Sequence, residues 1–184
     1  MATTKTKFKW DAQAERALDL MEHGKDHVFI TGQAGTGKST LLEHFRRTTN
    51  KNIVVLAPTG VAAANVGGRT IHSFCGIGPS SNMNKANKLH DNDPHKAVVE
   101  HLDMVIIDEA HERKIPIDHL LYLLRQRLKE KPEFKIIIMS ATIDPEIFKN
   151  YFDKYSFGHI DIGTTISTNT VNTHYLLGTP SLDE

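Results

Sequence analysis

Short apolar runs alternate with amphipathic segments along most of the chain. The runs are continuous, which is typical of strands covered on both faces, and they span residues 27–31, 52–57, 103–108 and 134–140. Segments with apolar residues at helical spacing lie before, between and after them, at 11–22, 40–45, 61–66, 116–130 and 144–152. Strands that alternate with helices predict a three-layer α/β/α domain with a mainly parallel sheet.

The stretches between these elements have a different composition. Residues 76–93 are rich in Gly, Pro, Ser and Asn, which predicts an exposed loop. Asp93-Pro94 predicts the start of a further helix through Glu100. Thr, Ile and Val are frequent in 158–177 and predict more strands there.

Composition places the chain among ordinary single-domain globular proteins. It has 184 residues and equal numbers of basic and acidic residues, 22 of each, so any nucleic-acid surface has to be a local patch. Cys75 is the one cysteine, and no apolar run reaches the length of a membrane span. We therefore expect an intracellular, monomeric domain with no membrane partner. Its predicted divisions are a flexible lead-in, one domain and a tail, at residues 1–9, 10–177 and 178–184.

A glycine-rich loop follows the first apolar run. Residues 32–39 read Gly-Gln-Ala-Gly-Thr-Gly-Lys-Ser, which fits the phosphate-binding pattern G-x-x-x-x-G-K-[ST]. The glycines let backbone N–H groups turn toward a polyphosphate, and the following helix adds the positive end of its dipole. A turn without a ligand is the alternative, but it has no use for Lys38. The loop predicts an ATP site formed by Gly32, Ala34, Gly35, Thr36, Gly37, Lys38, Ser39 and Thr40.

Two acidic residues follow the third apolar run and supply what such a site still needs. We expect Asp108 and the Ser39 hydroxyl to hold Mg²⁺, with water between the carboxylate and the ion, while Lys38 contacts the β- and γ-phosphates. Glu109 is expected to orient and deprotonate the attacking water. Two acids that begin a helix are the alternative, and the phosphate loop upstream favours catalysis.

Three further groups are open to two interpretations each. Ser140-Ala141-Thr142 ends the fourth apolar run; its hydroxyls either cap the next helix or bond His111 and sense the γ-phosphate. Gln13, close to Phe8 and Trp10, either reads an adenine edge or faces solvent on an amphipathic helix. Two glycine turns are surrounded by residues that either contact a phosphodiester backbone or form a polar loop, namely Thr59, Gly60, Arg69, Thr70, His72 and Ser73.

Residues 10–78 resemble the Pif-type DNA helicases of superfamily one. The shared strings are Val28–Gly32, Ala34–Ser39, Ala57–Ala63 and Gly67–Phe74. The resemblance implies a RecA-like fold, and it implies that Gln13 reads adenine. It also implies that a path for single-stranded DNA runs along Pro58, Thr59, Thr70 and His72.

Residues 103–177 resemble instead the DEAH-box helicases of superfamily two. The shared strings are Val105–Arg113, Ile137–Asp144 and His174–Leu176. This resemblance implies that Ser140 and Thr142 link His111 to movement between domains. The two resemblances agree on ATP and Mg²⁺ but differ on DNA or RNA as the single-stranded partner.

The resemblance also implies a second RecA-like core, which supplies arginine fingers to the bound ATP. We therefore expect the motor domain of a helicase that hydrolyses ATP very slowly by itself. The alternative is an ATP-dependent switch or protein-interaction module, which the neutral net charge favours. A small-molecule kinase is the third candidate, and it has no need of Thr70-Ile71-His72 or Ser140-Ala141-Thr142.

Overall fold

The computed structural model describes residues 10–76, 100–111, 115–141 and 145–163, and these ranges contain six strands and six helices. The strands are β1 (His27–Thr31), β2 (Ile53–Ala57), β3 (Arg69–Thr70), β4 (Met104–Ile107), β5 (Lys135–Ser140) and β6 (Phe157–Asp161). The helices are α1 (Ala12–Glu22), α2 (Lys38–Thr48), α3 (Gly60–Asn65), α4 (Ile71–Cys75), α5 (Ile115–Glu130) and α6 (Pro145–Tyr151).

The six strands form one sheet in the order β3-β2-β4-β5-β1-β6. Every pair of neighbouring strands is parallel. Each strand therefore ends at the same edge of the sheet, and helices make the return crossings. The predicted three-layer α/β/α fold is confirmed.

Side chains alternate between two cores, one on each face of the sheet. In β1, Phe29 joins the core beneath α4, α5 and α6, while Val28 and Ile30 join the core beneath α1 and α2. Both sets are almost completely buried, as the continuous apolar runs predict. Burial on both faces holds the central strands rigid and fixes the positions of the loops that follow them.

The predicted elements agree with the structure to within a residue or two at most ends. Asp11 precedes α1 as its N-cap, and its carboxylate accepts from Ala14 N at 2.7 Å. The helix expected over 61–66 begins one residue earlier, at Gly60, because Thr59 is the N-cap. Strand β4 ends at Ile107, so Asp108 lies just beyond it.

One of the two interpretations of the segment after α3 is a polar loop, but the segment has regular structure. Residues 69–70 form β3, which pairs with the end of β2, and α4 follows at once. Gly68 makes this pairing possible: a Cβ there would lie 2.5 Å from Val55 O. Thr70 then caps α4 by accepting from Ser73 N at 3.1 Å. Such a close approach between backbones is a tertiary feature that periodicity does not reveal.

Several expectations lie outside the described residues. They concern the lead-in before residue 10, the loop and helix of 77–99, Thr142, Asp144 and the chain after 163. Within the described ranges, none of the helices combines the length and apolarity that crossing a bilayer requires.

Buried polar groups line the edge at which the strands begin. Lys135, at the start of β5, is 6% exposed and donates to Leu20 O and Gly24 O, the latter at 2.6 Å. These carbonyls belong to the end of α1, where a cation is favoured. Burial lowers the pKa of Lys135 to about 8, and the charge of Lys51 adds to this effect.

Neighbouring groups at this edge are paired in the same way. His27 Nδ1 accepts from Ile136 N at 3.2 Å, and the ring packs against Tyr155 and Phe157. Burial, helped by the charge of Lys135, lowers the pKa of His27 to about 4. Burial alone would raise the pKa of Glu22, but hydrogen bonds from Thr49 and Lys51, together with the charges of Lys51 and His23, lower it.

Candidate ATP and nucleic-acid site

Four of the predicted functional segments lie along the edge at which the strands end. The phosphate loop follows β1, Pro58-Thr59 follows β2, Asp108-Glu109 follows β4, and Ser140 closes β5. These strands are neighbours in the order β2-β4-β5-β1. The parallel sheet therefore brings the segments together, and β5 separates the two strands that carry the phosphate loop and the acid pair.

The phosphate loop has a backbone that only glycine adopts without strain. Gly35 and Gly37 have φ values of 84° and 92°. Thr36 is buried, and its hydroxyl donates to Gln33 O at 2.9 Å. Gly37 is the N-cap of α2 and offers no capping side chain, so the first-turn N–H groups of α2 remain available to an anion. Ala34, Ser39 and Thr40 are exposed on this rim.

Lys38 is held inside the loop. Its side chain is 7% exposed, and Nζ donates to Gly32 O and, at 3.0 Å, to Gln33 O. Its charge also acts on Asp108, where it lowers the carboxyl pKa. The lysine and the acid, 70 positions apart in sequence, thus lie at the same edge of the sheet and attract each other electrostatically.

Asp108 is an acid whose charge is only partly balanced. It is 4% exposed, and its pKa is raised, first by burial and then by the neighbouring Glu109. A hydrogen bond from the backbone N–H of Glu109 and the charges of Lys38 and His111 oppose this rise in pKa without cancelling it. A cation beside Asp108 would relieve the imbalance, so the electrostatics favour a bound positive ion there.

Glu109 has a left-handed backbone, with φ of 53°, which is rare for a residue with a Cβ. Its side chain is 35% exposed, and Oε2 lies 3.2 Å from His111 Nδ1. The adjacent Ala110 is tied to β5 through Ala110 N and Met139 O, at 3.1 Å. Glu109 therefore occupies a strained turn that faces open space beside the buried Asp108.

The expected hydrogen bond between Ser140 and His111 is not formed. Ser140 is fully buried, and neither its Oγ nor His111 Nδ1 has a hydrogen-bond partner in the described part of the chain. The His111 contact with Glu109 is close in distance but lacks hydrogen-bond geometry. An unpaired buried hydroxyl lowers the stability of the fold, so a hydrogen-bond partner for Ser140 would be stabilising. Thr142 lies outside the described residues.

Gln13 and Trp10 lie on the α1 side of the phosphate loop. Gln13 is half-exposed on α1, which packs against β1 and α2. The Trp10 ring contacts His44 of α2, with 5.2 Å between ring centroids. The placement leaves both interpretations of Gln13 open, since no hydrogen bond joins it to the loop within the described residues.

The nucleic-acid candidates occupy the outer part of the same edge. Thr59 and Thr70 use their hydroxyls to cap α3 and α4. Gly60, Arg69 and His72 are exposed, whereas Pro58 is buried. Sequence reasoning missed Val61, which follows Gly60 and is 75% exposed. Its sequence neighbours Gly60 and Ala62–Ala64 are small and form no amphipathic pattern, so no sequence signal marks this apolar side chain as exposed.

The fold and the site together define a class of protein. A parallel sheet with a phosphate loop after β1 and a buried acid after β4 is the architecture of a RecA-like P-loop nucleoside triphosphatase. The family model for "PIF1-like helicase" matches residues 13–134, about two thirds of the chain. The chain belongs to the PIF1-like helicase family.

Individual relatives show both of the resemblances seen in the sequence. The chain is 52% identical over 63 residues to the ATP-dependent DNA helicase Pif1 of Bdellovibrio bacteriovorus. This match covers 34% of this chain and 14% of that protein. The chain is also 31% identical over 163 residues to the ATP-dependent RNA helicase HrpA of Escherichia coli. That match covers 76% of this chain and 12% of that protein. The first match is short and strong, and the second is long and weaker.

Among solved structures, the fold is similar to that of Pif1 helicase from Bacteroides in complex with ADP-AlF3 and ssDNA. The TM-score is 0.61 at 24% identity, over 83% of this chain and 42% of that one. The chain thus spans less than half of this structure and about an eighth of the two relatives.

Proposed function

We propose that this domain is the ATP-hydrolysing first core of a helicase motor that acts on single-stranded nucleic acid. The observation that carries the proposal is the placement of the buried Lys38, in the phosphate loop after β1, and the buried Asp108, after β4, at the same edge of one parallel sheet. The membership in a helicase family supports the same conclusion. The phosphate loop binds the triphosphate, and the acid pair serves the attack of water.

The residues present fit Mg²⁺ as the companion of ATP. The described residues contain no cluster of three or more His, Cys, Asp or Glu side chains that could hold a metal alone. One buried carboxylate and one hydroxyl, those of Asp108 and Ser39, suit an ion that takes its other ligands from water and phosphates. The ion would neutralise charge on the phosphate oxygens.

The protein side chains then divide the remaining work. Lys38 is freed from its two carbonyl partners to contact the β- and γ-phosphates, and Glu109 orients the water and accepts its proton. Ser140 and His111 each have an unused hydrogen-bonding group beside the acid pair. They can report the state of the γ-phosphate by forming the bond that is missing here.

Two partners complete the proposed motor. A second RecA-like core contributes arginine fingers, which in phosphoryl transfer are worth a factor of ~10³–10⁵ in rate. Single-stranded nucleic acid runs along Thr59, Gly60, Arg69 and His72. DNA is the favoured form because the matching family model is that of PIF1-like helicases, and the Bacteroides neighbour carries ssDNA. We further propose that the isolated domain is monomeric and intracellular.

The test combines turnover with nucleic-acid binding. We expect a slow ATPase rate that oligo-dT raises more than oligo-rU does, and oligonucleotide binding that weakens steeply with salt. Glu109→Gln should keep nucleotide affinity, measured with a fluorescent ATP analogue, and lose hydrolysis. Binding of ATP without any response to either oligonucleotide would favour the switch module instead, and stimulation by RNA alone would reverse the preference for DNA.

A further inference from the structure

A side chain from α2 reaches the end of α3. The Arg46 guanidinium, in the last turn of α2, donates a hydrogen bond to Val66 O. Val66 is the C-cap of α3, where backbone carbonyls lack helical partners. The guanidinium therefore satisfies a free acceptor and places a positive charge at the negative end of the helix.

The turn that follows Val66 is shaped around this contact. Gly67 has φ of 58°, and a Cβ on it would overlap the Arg46 guanidinium. Gly68 N donates to Ala63 O at 2.8 Å, and a Cβ on Gly68 would collide with Val55 O of β2. Backbone atoms of β2 thus exclude a side chain at Gly68, and a side chain at Gly67 would have to displace the Arg46 guanidinium.

The contact joins the two halves of the proposed site. Helix α2 begins at Lys38 in the phosphate loop, and Arg46 lies eight residues further on, about 12 Å along the helix. The turn held by Arg46 connects α3, which begins at Gly60, with β3 and α4, which carry Arg69 and His72. Arg46 therefore links α2 directly to the turn between the two nucleic-acid segments, in addition to the hydrophobic core that Val66 shares with α2.

We propose that Arg46 is a positioning residue that couples nucleotide binding at the phosphate loop to the nucleic-acid segments at 59–61 and 69–72. The inference rests on the function proposed above. Arg46 touches neither ligand. Its effect is on how strongly binding of one ligand alters binding of the other.

The neighbouring arginine provides a matched control. Arg47 is 76% exposed and pairs with Glu43 on the same helix. Arg47→Ala removes an equal charge from the same turn of α2 without touching α3. Arg46→Ala removes the contact with Val66 O, and Arg46→Lys keeps the charge but shortens the reach and removes the forked donor.

The first measurement is hydrogen exchange of backbone amides with and without a non-hydrolysable ATP analogue and MgCl₂, in the absence of nucleic acid. In the unaltered protein and in Arg47→Ala, we expect the nucleotide to slow exchange in the phosphate loop and also in residues 66–70. In Arg46→Ala, the phosphate loop should still be protected, while the protection of 66–70 is lost.

The second measurement is the affinity for a fluorescent oligo-dT with and without the same analogue. In the unaltered protein and in Arg47→Ala, we expect the analogue to change the dissociation constant of the oligonucleotide about tenfold, which is the ratio of the two constants. In Arg46→Ala it should fall to within about twofold of one, with an intermediate ratio in Arg46→Lys. Affinity for the nucleotide alone should stay within about twofold in all three variants.

The outcomes separate this inference from the proposed function. If Arg46→Ala keeps both the ratio and the protection of 66–70, the coupling role is wrong while the helicase motor stands. If the unaltered protein binds no oligonucleotide, the proposed function fails, and the coupling to nucleic acid fails with it. A nucleotide that never protects 66–70 in the unaltered protein also overturns the inference.

Discussion

The two edges of the sheet differ in how well their buried polar groups are paired. Where the strands begin, Lys135 and His27 are buried, and each has a hydrogen-bond partner of its own. Where the strands end, Ser140 Oγ has no partner among the described residues, Asp108 has a raised pKa and Glu109 has a strained backbone. One edge is arranged for stability and the other for binding and chemistry. Substitutions at the two edges should therefore change different observables.

The largest effect is expected at the binding edge from Lys38→Ala. The change removes the buried ammonium that contacts the phosphates, so nucleotide affinity should fall at least ~100-fold, about 3 kcal/mol. Thermal stability should fall by less than nucleotide affinity does, because of its two loop acceptors only Gly32 O loses a donor in a buried bond, whereas Gln33 is exposed. Titration with a fluorescent ATP analogue and a melting curve check both parts. Tight binding of the nucleotide by this variant would contradict the assignment of Lys38 and its loop as the phosphate-binding site.

At the opposite edge, Lys135→Met should reduce stability without affecting nucleotide affinity. Methionine keeps the apolar stem but leaves Leu20 O and Gly24 O without their donor, at a cost of about 1–3 kcal/mol. Lys129→Met is the control, since Lys129 is exposed and bonds only the side chain of Gln126 among the described residues. Urea denaturation measures the difference between the two variants. Equal stability of the two would contradict the structural role of this edge.

His27 should make the same edge sensitive to acid. Its pKa is about 4 in the folded protein and 6.5 when unperturbed, so the unfolded chain takes up a proton first as the pH falls. The stability is present above pH 6.5 and is lost on acidification toward pH 4, by up to about 3 kcal/mol.

The measurement is the free energy of unfolding between pH 7 and 4.5. His27→Gln should lower stability at pH 7 but flatten the pH dependence relative to the unaltered protein. His23→Gln, at an exposed position on the end of α1, is the control and should keep the original slope. A His27→Gln variant with the original slope would show that another group controls the acid response.

The smallest expected effect, and one of opposite sign, is at Glu109. Glycine adopts a φ of 53° without strain, so Glu109→Gly should stabilise the fold by about 1 kcal/mol while hydrolysis is lost. Glu109→Ala removes the same carboxylate and keeps the Cβ, so the difference between the two variants isolates the backbone strain. Melting temperatures of both variants provide the comparison. A less stable glycine variant would show that this turn is not strained.

How far the sequence predicts each region depends on whether the signal is local. The phosphate loop and the central strands can be predicted from residue order alone. A short continuous apolar run such as Met104–Ile107 fits few structures other than a strand that is buried on both faces. By contrast, β3 and α4 depend on Gly68 meeting the backbone of Val55, which is a contact between distant segments. The burial of Lys135 is equally hidden, since its partners lie 111 and 115 positions away. The absent bond between Ser140 and His111 is a question of side-chain geometry, which no sequence pattern determines.

The order of the strands has a consequence for the two kinds of helicase that the chain resembles. The Pif-like stretch contributes β1, β2 and β3, and the DEAH-like stretch contributes β4, β5 and β6, yet three of the five strand pairings join one stretch to the other. Neither stretch can bury its strands without its counterpart, so we expect the two stretches to fold as a single cooperative unit. A graft that replaced one stretch would have to reproduce the ladder register at β2–β4, β5–β1 and β1–β6 simultaneously.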